Sequence, residues 1–200
     1  MAIKIQKTKL KLIETARVLF AEQGKKNITM NDIAEASGKS RRSLYTHFKN
    51  KDAVYHAVIN YELSCILEKI QQVSKLKLAP DIKLTRHIIT HLDAIKESVQ
   101  RNGSLRADFF MDIYAVERAR RINDKEEHGY IRNILKDGIE KRVFKRIDAD
   151  LSATIILYAI KGLEVPYIRQ NINEEFERNK QGIVEFILTA IKHPTPSFLN

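Results

Sequence analysis

Apolar residues in the first fifty positions fall in helical phase. Leu12, Ile13, Ala16, Leu19 and Phe20 stand at i, i+1, i+4, i+7 and i+8, a single stripe on a helix that Gly24 can end. The next helix is predicted to be short. Thr29 stands where its side chain can cap a helix opening Met30-Asn31-Asp32, whose acidic residue suits the helix dipole, and Gly38 can stop it. Ser40 can cap another, Arg41 to Phe48, in which Leu44 and Phe48 are four apart and face inward. Asn50 then caps a longer helix beginning at Lys51.

Past residue 55 the periodic segments lengthen. They run to about Ser74, then from Asp81 to Arg101, Ser104 to Arg121, Lys125 to Arg146, Asp148 to Gln170 and Asn173 to Lys192. Asn102-Gly103 separates two of them, Asp148 and Asn173 can open the last two, and His193-Pro194-Thr195-Pro196 closes the pattern. No internal repeat and no strand alternation interrupt it. The expected fold is all-α with about nine helices: a compact three-helix head over residues 1–55 and a larger helical body over residues 56–200.

Composition narrows the class. The chain has 200 residues, 44% hydrophobic and 30% charged, which suits a globular protein with a substantial core and excludes wholesale disorder. The longest wholly apolar run, Ile155 to Ile160, is too short to span a bilayer, and lysines interrupt the start MAIKIQKTKLKL, so a cytoplasmic location is expected. Cys65 is the single cysteine; it forms no internal disulfide, and Leu63, Ile66 and Leu67 around it predict a small buried thiol. There is no serine nucleophile elbow, supported Cys-His arrangement or dinucleotide glycine pattern, so neither an enzyme nor a cofactor is expected.

Charge changes the picture, because the net +10 is uneven. Residues 1–55 hold 12 Lys and Arg against 5 Asp and Glu; residues 56–200 hold 23 against 20. A basic excess concentrated on a small domain is the footprint expected for nucleic acid or an anionic membrane, and a compact core rather than a long amphipathic face favours nucleic acid. Within the head, Gly38-Lys39-Ser40 resembles the end of a nucleotide-binding loop. That loop would need another glycine where Ile33 stands and a buried strand before it, so the nucleotide reading fails.

Two helices joined by a Gly-containing turn make a helix-turn-helix, whose second helix enters the DNA major groove by its N-terminal end. Arg41, Arg42 and Ser43 lie at that end, and Tyr45, Thr46 and His47 point outward. Arginine can bond guanine O6 and N7 with both arms of its fork. The stretch ITMNDIAEASGKSRRSLYTHFKNKDAV, preceded by LIETARVLFAEQG, resembles the DNA-binding head of the TetR family of bacterial transcriptional regulators over residues 8 to about 58. The resemblance implies base reading by Arg41, Arg42 and Tyr45, with Thr46 beside them, and phosphate contacts by Thr29, Ser43, His47 and Lys51. Lys39 stands where a small apolar residue is usual and could add a phosphate contact or simply extend outward.

For the body, the resemblance implies a homodimer formed by the last two helices, a small-molecule effector, and a two-fold symmetric operator from which the effector releases the protein. The apolar residues expected at the dimer interface are Ile156, Ile160, Leu163 and Tyr167 on one helix and Ile183, Phe186, Ile187 and Ile191 on the next. The candidate effector pocket is Tyr61, Ile88, Leu92, Phe109, Phe110, Ile113, Tyr114 and Tyr130. An alternative keeps the DNA-binding head without a small-molecule ligand, controlled by a protein partner or acting architecturally. His87 and His91 are four apart, a spacing used by zinc sites, but nothing adjacent in sequence completes a ligand set and no metal is expected.

Overall fold

A computed structural model of the chain describes residues 6–102, 113–169 and 180–193, without the side chains of 113–119 and 165–169. The described residues contain eight α-helices: α1 (Lys7–Gln23), α2 (Met30–Ala36), α3 (Arg41–His47), α4 (Lys51–Ser74), α5 (Pro80–Arg101), α6 (Ile113–Glu140), α7 (Ala149–Arg169) and α8 (Lys180–Ile191). The all-α expectation holds. Two compact units divide the chain: residues 1–65 with 97–120, and residues 66–96 with 121–200. No helix among the described residues is long and apolar enough to cross a membrane.

The first unit follows its caps. Gly24, at φ 80°, ends α1 by donating its N–H to the Phe20 carbonyl at 3.0 Å. Thr29 and Asp32 form a capping box on α2, the Ser40 hydroxyl accepts from the Ser43 N–H to open α3, and Asn50 Oδ1 accepts from the Ala53 N–H at 2.8 Å to open α4. The stripe predicted for α1 is buried through Leu12, Ile13, Ala16 and Phe20. Phe20 meets Tyr55 edge to face at 6.2 Å, while Ile28, Ile33, Leu44 and Val58 are also buried. Fully burying an aliphatic or aromatic side chain stabilises a fold by roughly 1.5 to 3 kcal/mol, so these residues fix the angle between short helices that propensity alone would not hold.

Polar groups add a second tie within this unit. Glu62, 1% exposed, accepts hydrogen bonds from Ser98 Oγ (3.1 Å), Arg101 Nη2 (2.6 Å) and Asn102 Nδ2 (2.8 Å), and Arg17 Nε of α1 stands 3.8 Å from its other oxygen. Arg17 Nη1 also donates to the Arg101 carbonyl at 3.1 Å. One buried carboxylate therefore joins α1, α4 and the end of α5.

The second unit packs Ile70, Leu84, Ile88, Leu92, Ile131, Leu135, Ile156, Ile160, Val184 and Ile191 into its interior. Its one departure from the expected elements concerns α6. Separate helices ending at Arg121 and beginning at Lys125 are expected, but one helix runs from Ile113 to Glu140. Ile122-Asn123-Asp124 contains neither glycine nor proline, so nothing forces a break. The helix also stops before Arg146. The N–H groups of Val143 and Phe144 turn back onto the Gly138 carbonyl at 2.8 and 3.0 Å, Arg142 adopts φ 57°, and the buried Phe144 ring covers Gly138. Lys145 N–H then bonds the Ile191 carbonyl at 2.8 Å, holding this turn against the end of α8.

Candidate nucleic-acid interface

The turn between α2 and α3 is built by backbone bonds. Gly38 N–H donates to the Glu35 carbonyl and Lys39 N–H to the Ala34 carbonyl, both at 2.9 Å, while the buried Ser37 hydroxyl donates to Ala34 as well. Gly38 sits at φ 62°, the left-handed region that a side chain disfavours. The turn directs α3 so that Leu44 (0% exposed) and Phe48 (4%) enter the core. The opposite face carries Arg41, Arg42, Tyr45 and Thr46, all exposed, at i, i+1, i+4 and i+5. No acidic residue lies on α3.

Several predicted anchors have local duties. The Thr46 hydroxyl donates to the Arg42 carbonyl at 2.8 Å, and the Thr29 hydroxyl donates to Asp32 Oδ2 at 2.9 Å while accepting from the Asp32 N–H. Hydrogen bonds from the Thr29 backbone and hydroxyl hold the Asp32 carboxyl below its ordinary pKa, so it stays ionised to support the cap. Lys51 differs most from expectation. Its ammonium donates to the carbonyls of Lys25 (2.9 Å), Lys26 (3.4 Å) and Ile28 (2.7 Å), closing the 3₁₀ turn Lys25–Asn27 instead of standing free for a phosphate. Three carbonyls converge there, and a long flexible cation can reach all of them.

Ser43, Lys39 and His47 are half-buried, and the His47 ring lies 6.4 Å from that of Phe48. Sequence reasoning missed two lysines of α1. Lys9 Nζ lies 5.6 Å from the Phe48 ring centre, and Lys11 Nζ stands 4.0 Å from where a side chain at Gly38 would begin. Their signal was the alternation in Lys7-Thr8-Lys9-Leu10-Lys11, which puts cations at the start of a helix packed beside the turn.

Residues 12–58 match the family model described as bacterial regulatory proteins, tetR family. Over that stretch the head is that of the TetR family. It is 27% identical over 146 residues to the HTH-type transcriptional repressor KstR2 of Mycolicibacterium smegmatis, covering 70% of this chain and 69% of that one. The same fold is found in a transcriptional regulator from Cytophaga hutchinsonii (20% identity, TM-score 0.76, covering 91% of this chain and 97% of that one). It is found again in the SmeT–triclosan complex (14% identity, TM-score 0.70, covering 98% of each chain). The TetR-family head just described is the helix-turn-helix of a DNA-binding transcriptional regulator.

In the body the predicted pocket residues occupy different settings. Tyr61 belongs to the first unit, where its hydroxyl donates to Glu14 at 3.3 Å; burial and the nearby acidic groups push its pKa up to about 12. Ile88 and Leu92 are fully buried in the second unit. There, too, Tyr130 accepts from Gln71 Nε2 at 3.1 Å and donates to Glu126 at 3.4 Å. Phe109 and Phe110 lie outside the described residues, as do the side chains of Ile113 and Tyr114. Cys65 is half-buried.

The predicted dimer residues do not share one exposed face. Ile156 and Ile160 are 4% and 0% exposed, and Ile187 and Ile191 are 9% and 6% exposed: these side chains form the second unit's own interior. Leu163 and Ile183 are half-buried, Phe186 is 81% exposed, and the Tyr167 side chain lies outside the described residues. The open apolar face of α7 is Leu151, Ile155 and Tyr158, one step around the helix from the predicted stripe. Sequence periodicity saw apolar residues on both faces of α7 and could not tell which one the chain's own helices cover.

His87 and His91 do share a face of α5, and both are buried. Their partners come from other helices. Glu127 Oε1 of α6 lies 3.0 Å from His87 Nε2 and 2.8 Å from His91 Nδ1, while Glu164 Oε1 of α7 lies 2.9 Å from His91 Nε2. With a carboxylate oxygen at each ring nitrogen, His91 donates from both and is an imidazolium. Burial works against that charge, but Glu127 and Glu164 outweigh it and raise the pKa to about 10; Glu127 is correspondingly held far below the ordinary carboxyl range despite its own burial. No group of His, Cys, Asp or Glu among the described residues is arranged to hold a metal ion. The missed signal was positional: Glu127 is four residues before Ile131, and Glu164 four after Ile160, so each occupies the apolar stripe of its helix.

Proposed function

We propose that this protein is a repressor that binds a two-fold symmetric DNA operator as a homodimer and is released from it by a small molecule. The observation that carries the reading is the division of α3, with Leu44 and Phe48 locked inside while Arg41, Arg42 and Tyr45 stand outward on a face with no acid. Arg41 and Arg42 read guanine edges, Tyr45 reads or packs on the groove wall, and Ser43, His47, Lys39 and the lysines of α1 contact phosphates. Residues 1–55 act as the DNA-binding domain and residues 56–200 as the sensing and dimerisation domain.

Two copies are needed because one recognition helix reads too few base pairs; paired heads span half-sites about 34 to 36 Å apart. The open face of α7, with Leu151, Ile155 and Tyr158 59%, 59% and 67% exposed, supports such pairing, as does Phe186 of α8. Ala159 and Gly162, also open, permit close approach of a second helix. Small-molecule control is supported by the fold shared with the SmeT–triclosan complex. The protein works in the cytoplasm, where its operator is, and by binding rather than turnover.

Selection of bound sequences from a random duplex library at moderate salt tests this reading. A two-fold symmetric consensus is expected. Binding that shows no enrichment and vanishes as salt rises would reduce the head to a non-specific basic surface. With the consensus in hand, a ligand screen against the complex separates small-molecule release from control by a protein partner.

A further inference from the structure

A groove of about 900 Å³ opens in the second unit where the end of α4, the connection over residues 75–79, the start of α5 and the last two turns of α6 meet. Its volume falls within the range of roughly 300 to 1,000 Å³ common for small-molecule sites. Lys75, Lys77, Lys83 and Lys141 line it, against a single carboxylate, Asp137, which Lys141 already pairs with at 2.9 Å. Among the described residues the other three cations have no carboxylate partner. Lys75 donates to the Gln71 side-chain oxygen at 3.2 Å and Lys83 to the Ser74 carbonyl at 3.4 Å, both neutral acceptors, and Lys77 makes no hydrogen bond or ion pair with the described residues. Three uncompensated ammonium groups in one concavity repel each other and gain by accepting an anion.

The floor of the groove is apolar. Leu76, Leu78, Pro80, Ile134 and Val143 line it; Leu76 is 38% exposed and Ile134 is buried beneath the opening. We propose that this groove binds an amphipathic organic anion, its carboxylate or phosphate head held by Lys75, Lys77 and Lys83 and its hydrocarbon part laid on Leu78, Ile134 and Val143. Asn133, exposed and also lining the groove, offers hydrogen bonds to a polar group next to the head. None of the buried side chains of the His87–Glu127–His91–Glu164 cluster lines this groove. The inference stands without the effector reading, because occupancy is measured with no DNA present.

Octanoate, octan-1-ol and acetate separate head from tail as probes, titrated calorimetrically into the full-length protein. Octanoate is expected to bind saturably at one site per chain, more tightly at low salt, with octan-1-ol and acetate each at least tenfold weaker. Lys77→Glu combined with Lys83→Glu should weaken octanoate at least tenfold while leaving the far-ultraviolet circular dichroism unchanged; Lys49→Glu, in the head, should change nothing. Lys75→Ala gives a second, gentler loss should the charge reversal perturb folding. Equal affinity for octanoate and octan-1-ol, undiminished binding to the charge-reversed protein, or no saturable binding at millimolar octanoate would each overturn the proposal.

Discussion

His91 Nε2 lies 2.9 Å from Glu164 Oε1 in the interior of the second unit, while Nδ1 of the same ring lies 2.8 Å from Glu127. The pair joins α5 to α7 through a buried charge, and the stability of the fold depends on that charge. The folded pKa of His91, about 10, exceeds the ordinary histidine value of 6.5. Its contribution is therefore complete below pH 6.5 and is lost as pH rises through about 10. Glu127 acts in the opposite sense: its lowered pKa contributes above the ordinary carboxyl value of 4.5, and that contribution is lost on acidification.

Urea midpoints across this range test the relationship. In the wild-type protein the midpoint should decline from neutral pH toward pH 10, and in His91→Gln, which carries no titrating ring, the His91 part of that decline should disappear while stability at neutral pH drops. Parallel curves for the two proteins would show that His91 does not carry the proton assigned to it. His87, whose Nε2 also faces Glu127, is held constant in this comparison.

Glu62 gathers Ser98, Arg101 and Asn102 onto one buried carboxylate. Removing it leaves these donors without their acceptor, so Glu62→Ala should cost on the order of 3 kcal/mol, and Glu62→Gln less because its amide oxygen still accepts. Chemical denaturation reads both. A loss below about 0.5 kcal/mol for the alanine variant would mean that water or rearrangement satisfies the donors as well as Glu62 does.

Lys51 and Arg41 should fail differently. Lys51→Ala removes a cation bonded to three backbone carbonyls and should lower stability by about 1 to 2 kcal/mol, leaving the salt dependence of DNA binding nearly unchanged. Arg41→Ala should leave stability alone, cost about 1 to 3 kcal/mol of operator affinity and relax preference at one base pair. A reduced salt slope for Lys51→Ala would restore a phosphate contact to it. Equal losses on operator and random DNA would take base reading from Arg41.

The two faces of α7 can be told apart by a single charge. Tyr158→Asp, on the open face, should give folded monomers in sedimentation, whereas Ile160→Asp, at a fully buried position, should unfold the second unit. A dimer that survives both Tyr158→Asp and Phe186→Asp would place self-association elsewhere.

The head was almost wholly legible in the sequence because its determinants are local. Thr29, Ser40 and Asn50 each cap a helix by reaching the backbone N–H groups three residues on, and Leu44 and Phe48 meet the core at helical spacing, so short-range chemistry is enough to place α2, α3 and the start of α4. Where a side chain's partner was distant in sequence, reading failed. The ammonium of Lys51 could have gone to a phosphate; the fold sends it to carbonyls 23 to 26 residues earlier.

By itself the sequence determined the helices of the head, the turn at Gly38, the outward face of α3 and the fact that His87 and His91 share one side of α5. All follow from backbone stereochemistry, capping and a period of 3.6 residues. Only the tertiary structure decided that Glu127 and Glu164 close on those histidines, that Ile156 and Ile160 turn inward while Ile155 and Tyr158 stay open, and that lysines from the connection after α4, from α5 and from the turn after α6 come together around one groove. Those outcomes depend on how each helix is rotated against neighbours remote in sequence, and that rotation is fixed by packing the whole core at once.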